Sequence, residues 1–181
     1  MSPEYQGHGF GVAYRREGKW HLHKHIFPVW EAEFSALGEC EFLIAHARSA
    51  FRNEGIQVEN NMPFTDQGLT FIFNGELHGV KVKSPGRIGA EKLFQYILRF
   101  LHGDPGEALE RATRIIRERT RYVKAMNILM TDGERIFVSS HFEEDPDYFT
   151  LHHLPGKTEA FCSQPLGLGW KPLPNRTCMA V

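Results

Sequence analysis

Two helical segments follow one another with no strand between them. Residues 88–101 carry Leu93, Ile97, Leu98 and Leu101 at helical spacing. Residues 104–120 open on Asp104-Pro105-Gly106-Glu107. That is an N-cap, a proline at the first helical position and a glutamate three residues after the cap. Strand-like sequence lies on both sides of the pair. Doubly wound sheets alternate single helices with parallel strands, so this order excludes them. It predicts an α+β fold in which antiparallel sheet is layered with helices.

The strands are expected at residues 9–14 and 19–25, joined by a turn at Glu17-Gly18, and at 41–46 and 69–73, with 80–83 continuing the sheet after a bend. Residues 125–130 and 135–139 pair about Asp132-Gly133, a strong hairpin turn. Further strands are expected at 148–154, 159–162 and 177–181, and a short helix at 30–37. The strand 69–73 reads Leu-Thr-Phe-Ile-Phe and runs into Asn74-Gly75. Either a plain turn ends it there, or an amide side chain and a glycine N–H converge on one developing negative charge.

Composition narrows the function classes. With 181 residues, 41% hydrophobic and 24% charged, the chain suits one globular domain spanning 1–181. A formal net charge of −1 predicts attraction to neither nucleic acid nor membrane. No apolar run reaches the roughly 20 residues of a membrane span, and the first eleven residues lack a signal peptide's basic and apolar regions. Cys40, Cys162 and Cys178 are scattered and form no CxxC, which suggests a reduced, cytoplasmic setting.

Three patterns have ordinary explanations. His21, His23 and His25 share one face of a strand and could hold zinc, but no spaced carboxylate or cysteine completes a site, so no metal is expected. Arg111, Arg114, Arg117 and Arg121 fall on one side of the second helix among Glu107, Glu110 and Glu118. That reads as a solvated face rather than an RNA-facing stripe. Cys162 reads as a core residue. Arg48 differs: it follows an apolar strand, where a fixed guanidinium suits a carboxylate.

Four segments resemble, in order, the motifs of the class II glutamine amidotransferases, the N-terminal-nucleophile glutaminase domains, in particular their stand-alone branch. They are Gly7-His8-Gly9-Phe10-Gly11-Val12-Ala13-Tyr14; Ile44-Ala45-His46-Ala47-Arg48; Asn60-Asn61-Met62-Pro63-Phe64 followed by Phe73-Asn74-Gly75-Glu76-Leu77; and Phe161-Cys162-Ser163-Gln164-Pro165-Leu166 with Trp170 and Pro174-Asn175. The resemblance implies a four-layer α-β-β-α fold and no cofactor. It also implies a mechanism in which the α-amine of an N-terminal cysteine activates its own thiol, which attacks glutamine's side-chain amide and releases ammonia. Arg48 would bind the α-carboxylate; Asn74 and Gly75 would stabilise the oxyanion.

The departures shape the expectation. The family's Met-Cys start, first strand and following helix have no counterpart before Gly7, and Ser2-Pro3 lies too close to Gly7 to replace them. Phe51 stands where a hydroxyl would help bind the carboxylate. Gly89 stands where an aspartate would hold the substrate's ammonium. Met62 and Phe73 replace histidines. The expectation is a glutaminase-like domain without its first strand, degenerate for glutamine hydrolysis, with Arg48 binding glutamine or another small carboxylate. One alternative is an active glutaminase whose cysteine-bearing segment is absent from this sequence or supplied by another chain. The other is a non-catalytic module docking on a partner synthase that uses ammonia. A partner could also fill an open sheet edge by strand addition.

Overall fold

A computed structural model describes residues 6–35 and 37–181, apart from the side chain of Phe51. In chain order the elements are β1 (Phe10–Arg16), β2 (Lys19–His25), β3 (Phe42–Ala47), β4 (Phe64–Asp66), β5 (Leu69–Val80), α1 (Gly89–Leu98), α2 (Pro105–Glu118), β6 (Thr120–Thr131), β7 (Ile136–Ser140), α3 (Pro146–Phe149), β8 (His152–Leu154), β9 (Ala160–Cys162), β10 (Lys171–Pro172) and β11 (Thr177–Ala180). They form a smaller sheet of order β2-β1-β3, a larger sheet of order β11-β7-β6-β5-β4 and a short ribbon β10-β8-β9. Every strand pairing is antiparallel.

The first hairpin forms where the sequence places it. Glu17 and Gly18 both take positive φ, 50° and 72°, which a tight two-residue turn of this hand requires. The second connection is longer than a two-residue turn and spans residues 132–135. Asp132 Oδ1 accepts the N–H groups of Glu134 (2.9 Å) and Arg135 (2.7 Å).

Helices α1 and α2 cover one face of the larger sheet. Leu93, Phe94, Ile97, Leu109, Ala112 and Ile116 pack against Phe71, Met126, Ile128, Met130 and Phe137. Phe71 and Phe94 stack with ring centroids 4.8 Å apart. Asp104 caps α2, accepting from Gly106 N at 2.8 Å and Glu107 N at 3.1 Å. Over residues 30–35 and 37 the expected helix of 30–37 is not formed: a single 3₁₀ turn, Val29–Glu31, takes its place, and Ala36 lies outside the described residues. Phe34 from this segment turns instead onto Phe10, with centroids 5.6 Å apart. The helical layers of the described chain therefore lie on the larger sheet, while the outer face of the smaller one carries rings. His25 stacks on Phe27 at 4.4 Å, and His21 on Tyr14 at 4.9 Å. Among the described residues no group of histidine, cysteine or acidic side chains could hold a metal. Residues 148–154 also differ from the expected strand: Tyr148 and Phe149 belong to α3, and only His152–Leu154 is extended.

The two sheets meet backbone to backbone. A Cβ at Gly11 would overlap the Met62 carbonyl, and one at Gly9 would overlap Asn61 and the His25 carbonyl. Glycine is therefore required at both positions for this approach.

Replacing Asp104 with Ala is expected to lower stability through loss of the cap, read as a lower urea midpoint with an unchanged m-value. The variant loses both cap bonds and the ion pair to Arg135 (2.7 Å).

Candidate functional site

Between the two sheets lies an open trough of about 2090 Å³, lined by β3, the inner face of β5, the start of α1 and the segment 157–164. Arg48, Asn74, Gly75 and Gly89 all line it, so the structure brings the candidate residues of separate segments to one place.

Arg48 is positioned by its backbone and its side chain. Its N–H donates to Gly9 O (2.9 Å) and its carbonyl accepts from His8 N (3.0 Å), so the segment leading into β1 fixes the main chain. Its Nη1 donates to Gly55 O at 2.9 Å and to Asn61 Oδ1 at 3.4 Å. The residue is 7% exposed, and no carboxylate pairs with it among the described residues. Burial lowers its pKa. Its partners among the described residues are neutral, so little offsets the cost of burying the charge.

Asn74 and Gly75 do not end a strand. β5 continues through them to Val80, and Asn74 lies opposite Asn127, Gly75 opposite Met126. Successive side chains alternate between faces. Phe71, opposite Met130, packs under the helices, so Asn74 lies on the other face with Ile72, towards the trough. Asn127 beside it is committed elsewhere. Its Nδ2 donates to Phe149 O, and its Oδ1 accepts from Ser140 and from His141 N.

The direction of the Gly75 N–H is set by its neighbours. Met126 donates its own N–H away from β5, to His141 O at 2.7 Å. Gly75 and Met126 are thus a pair without mutual hydrogen bonds. Two residues back, Phe73 N–H points away from β6 and donates to Met62 Sδ at 3.2 Å. The Gly75 N–H points the same way, to the edge that β4 leaves free, since β4 pairs only with residues 69–71. Glycine is also needed here for packing, because a Cβ would overlap the Ala125 carbonyl. A bulge between Glu76 and Leu77 shifts the register immediately afterwards.

One further feature was not read as a site residue from the sequence. His46, from β3, reaches the backbone of Phe73, and its Nδ1 is shut off from solvent with no partner among the described residues. Burial, with Arg48 alongside, pushes its pKa down to about 4, against a weaker pull from the Phe73 backbone. Gly89 is the first residue of α1, and a side chain there would meet nothing within 4 Å. The nearby acid, Glu91, is taken up by Arg87 at 2.7 Å. Met62 fills the place read as a histidine with a buried thioether. The opening residues 1–5 and the Phe51 side chain lie outside the described residues. Cys40 and Cys162 both line the trough, and burial raises the pKa of the Cys162 thiol, which weakens it as a nucleophile.

No protein-family model and no curated protein matches the sequence. Solved structures do match. A glutamine aminotransferase class-II domain protein from Silicibacter pomeroyi superposes with a TM-score of 0.68 at 20% identity, covering 94% of this chain and 86% of that one. A predicted glutamine amidotransferase from Pseudomonas aeruginosa gives 0.57 at 18% identity, over 95% and 83%. Glutamine phosphoribosylpyrophosphate amidotransferase from B. subtilis gives 0.62 at 18% identity, over 88% of this chain but 36% of that enzyme. The protein has an N-terminal-nucleophile-hydrolase-like α+β fold. More narrowly, it has the fold of class II glutamine amidotransferase domains, as the four sequence motifs implied. No helix is long and apolar enough to cross a membrane among the described residues.

Gly75→Ala is expected to destabilise the protein by about 1–3 kcal/mol through overpacking against β6, measured by chemical denaturation. Stability is also expected to depend on His46. Its pKa is about 4 in the folded protein against 6.5 for the free side chain. The unfolded chain therefore binds the proton first, and stability falls as pH drops from 6.5 towards 4. The slope should be roughly 1 kcal/mol per pH unit and should flatten in His46→Phe. An unchanged slope in that variant would assign the acid sensitivity to other groups.

Proposed function

We propose that this chain is a class II glutamine amidotransferase-like domain that binds a small carboxylate in the trough through Arg48, and that its substrate pocket is degenerate for glutamine hydrolysis. The observation that carries the reading is Arg48: a buried guanidinium, faced by neutral groups and open to a cavity. A ligand carboxylate supplies the missing counter-charge, gripped in a bidentate way. Asn74 from the inner face of β5 and the outward N–H of Gly75 are the donors proposed for an oxyanion, on the resemblance.

Degeneracy rests on the other end of the ligand. Glutamine carries an ammonium as well as a carboxylate. The resemblance places its acidic partner at Gly89, which has no side chain, and Glu91 is spent on Arg87. Carboxylates do line other parts of the trough, Glu54 and Glu76 among them, but the acid that the resemblance expects at position 89 is replaced by a glycine, and an ammonium bound there without a counter-charge is costly. A carboxylate without an α-amine suits the pocket better.

A second reading has one observation in its favour. The trough is far larger than a single amino acid, and among the described residues β3 beside it pairs on one side only, with Leu43 55% exposed. An additional extended segment fits there by strand addition. If that segment brought a cysteine with a free α-amine, the domain would be an active glutaminase. The segment could precede these residues in a longer chain or belong to another protein.

The test is a thermal-shift series with glutamine, glutamate and dicarboxylates lacking an amine, alongside an assay of ammonia release. We expect saturable stabilisation by an amine-free acid and little by glutamine. Arg48→Lys, which keeps the charge but not the fork, should weaken the response about tenfold. Gly89→Asp, at a position with open space around it, should restore a response to glutamine and glutamate. Ammonia release from glutamine by the unaltered chain would defeat degeneracy. A ligand response indifferent to Arg48 would defeat the carboxylate site.

A further inference from the structure

The arginines of α2 do not form one stripe. The helix ends at Glu118, so Arg121 belongs to β6. Arg111 lies over the ring of Phe100, 5.1 Å from its centroid. Arg114 and Arg117 instead face a second cavity, remote from the trough. Residues 110, 113, 114 and 117 fall on one helical face, and that face lies over the β7–β11 edge of the larger sheet. Strand pairing sets Cys178 opposite Ser139 and Thr177 opposite Ser140. Glu110, Thr113, Arg114, Arg117, these four strand residues and Arg176 enclose about 120 Å³. That is room for about four waters at their liquid volume.

The charges in this cavity are poorly balanced. Arg117 is half-buried, and neither it nor Arg114 has an ion pair among the described residues. Arg176 joins them from the loop before β11, held in a left-handed conformation at φ 67°. It shares Glu143 with His141, at 3.2 and 3.1 Å. Burial lowers the pKa of Arg117, and the charges of Arg176 and Arg114 lower it further, against the pull of Cys178 and Glu118. Glu110 is the one carboxylate in the lining. Ser139, 2% exposed, lines the strand side of the cavity. Arg117 on α2, with the more exposed Arg114 and Arg176 lining the same cavity and Ser139 on its strand side, is stabilised by an anion that takes several donors at once.

We propose that this cavity is a binding site for a small tetrahedral oxyanion, phosphate or sulfate, held by Arg114, Arg117 and Arg176 over the Ser139 hydroxyl. It is independent of the trough and of the function proposed for the trough. Arg111 lies over Phe100 and Arg121 belongs to β6, so the basic residues form no continuous track for a nucleic-acid backbone, and the ligand is a free anion.

The experiment is isothermal titration and thermal unfolding of the full chain with inorganic phosphate, using chloride at matched ionic strength as the reference. Phosphate is expected to bind saturably and to raise Tm where chloride does not. Arg117→Met should lower phosphate affinity about tenfold or more, from the loss of a charge-assisted contact. In phosphate-free buffer the same variant should be no less stable than the parent, because a like charge has been removed. Arg111→Met should leave binding unchanged. If Arg117→Met fails to fold, the paired exposed changes Arg114→Gln and Arg176→Gln should produce the same loss. Equal responses to phosphate and chloride, or full phosphate binding in the paired variant, would overturn the proposal and leave a solvated helix face. Tight binding of an oligonucleotide that depends equally on Arg111 would overturn it in favour of a nucleic-acid surface.

Discussion

Two glycines set how closely the sheets can approach. At Gly9 and Gly11 the main chain at the start of β1 lies against Asn61 and the Met62 carbonyl, with no room for a side chain between them. That contact shapes the trough. Asn61, held there, donates to His25 O at 2.6 Å and accepts from Arg48. Met62, next to it, takes the N–H of Phe73 on its sulfur. The glycine-rich motif is thus a spacer: it fixes the distance between the strand that carries Arg48's backbone anchor and the strand that carries Asn74.

Donor direction in this site is a matter of ladder parity. Along β5, alternate amides pair with β6 and the others face outward. Because β4 is short, the outward amides beyond residue 71 have no strand to receive them. Phe73 spends its amide on a thioether; Gly75 has its amide directed at the trough edge. The same economy appears at Arg48, whose partners are a carbonyl and an amide oxygen rather than an acid. The donors of β5 and Arg48 are thus held by neutral acceptors or turned to the trough, an arrangement of the kind the proposed carboxylate site requires.

Much of this was legible in the residues, for physical reasons that can be named. The Asp104-Pro105 start of α2 and the Glu17-Gly18 turn between β1 and β2 depend on local chemistry, and both formed where expected. Asn74-Gly75 misled because the pair is a strong turn former, yet here the glycine serves close strand pairing inside a 12-residue strand. Nothing local distinguishes the two uses. The segment 30–37 has helical composition but gives up its helix to set Phe34 on Phe10, a tertiary gain that propensity does not contain. The arginine stripe failed for a similar reason. The helix stops at Glu118, which sends Arg121 into a strand and divides the remaining arginines between two environments. Arg48 could be singled out from its place after an apolar strand, but the neutral partners it has among the described residues are a property of the folded neighbourhood alone.

The smaller sheet is built from one unbroken run, residues 10–47, whereas the residues its inner face rests on begin near Asn61. A chain made from its N-terminus therefore completes a three-stranded sheet before its support exists. At that stage the apolar edge of β3 and the bare backbone of Gly11 are both uncovered. Domains begin folding as they emerge, and unpaired edges are what nascent chains most readily misuse. The glycines that make the finished sandwich tight thus leave this protein, early in its synthesis, with a surface that needs either speed or company.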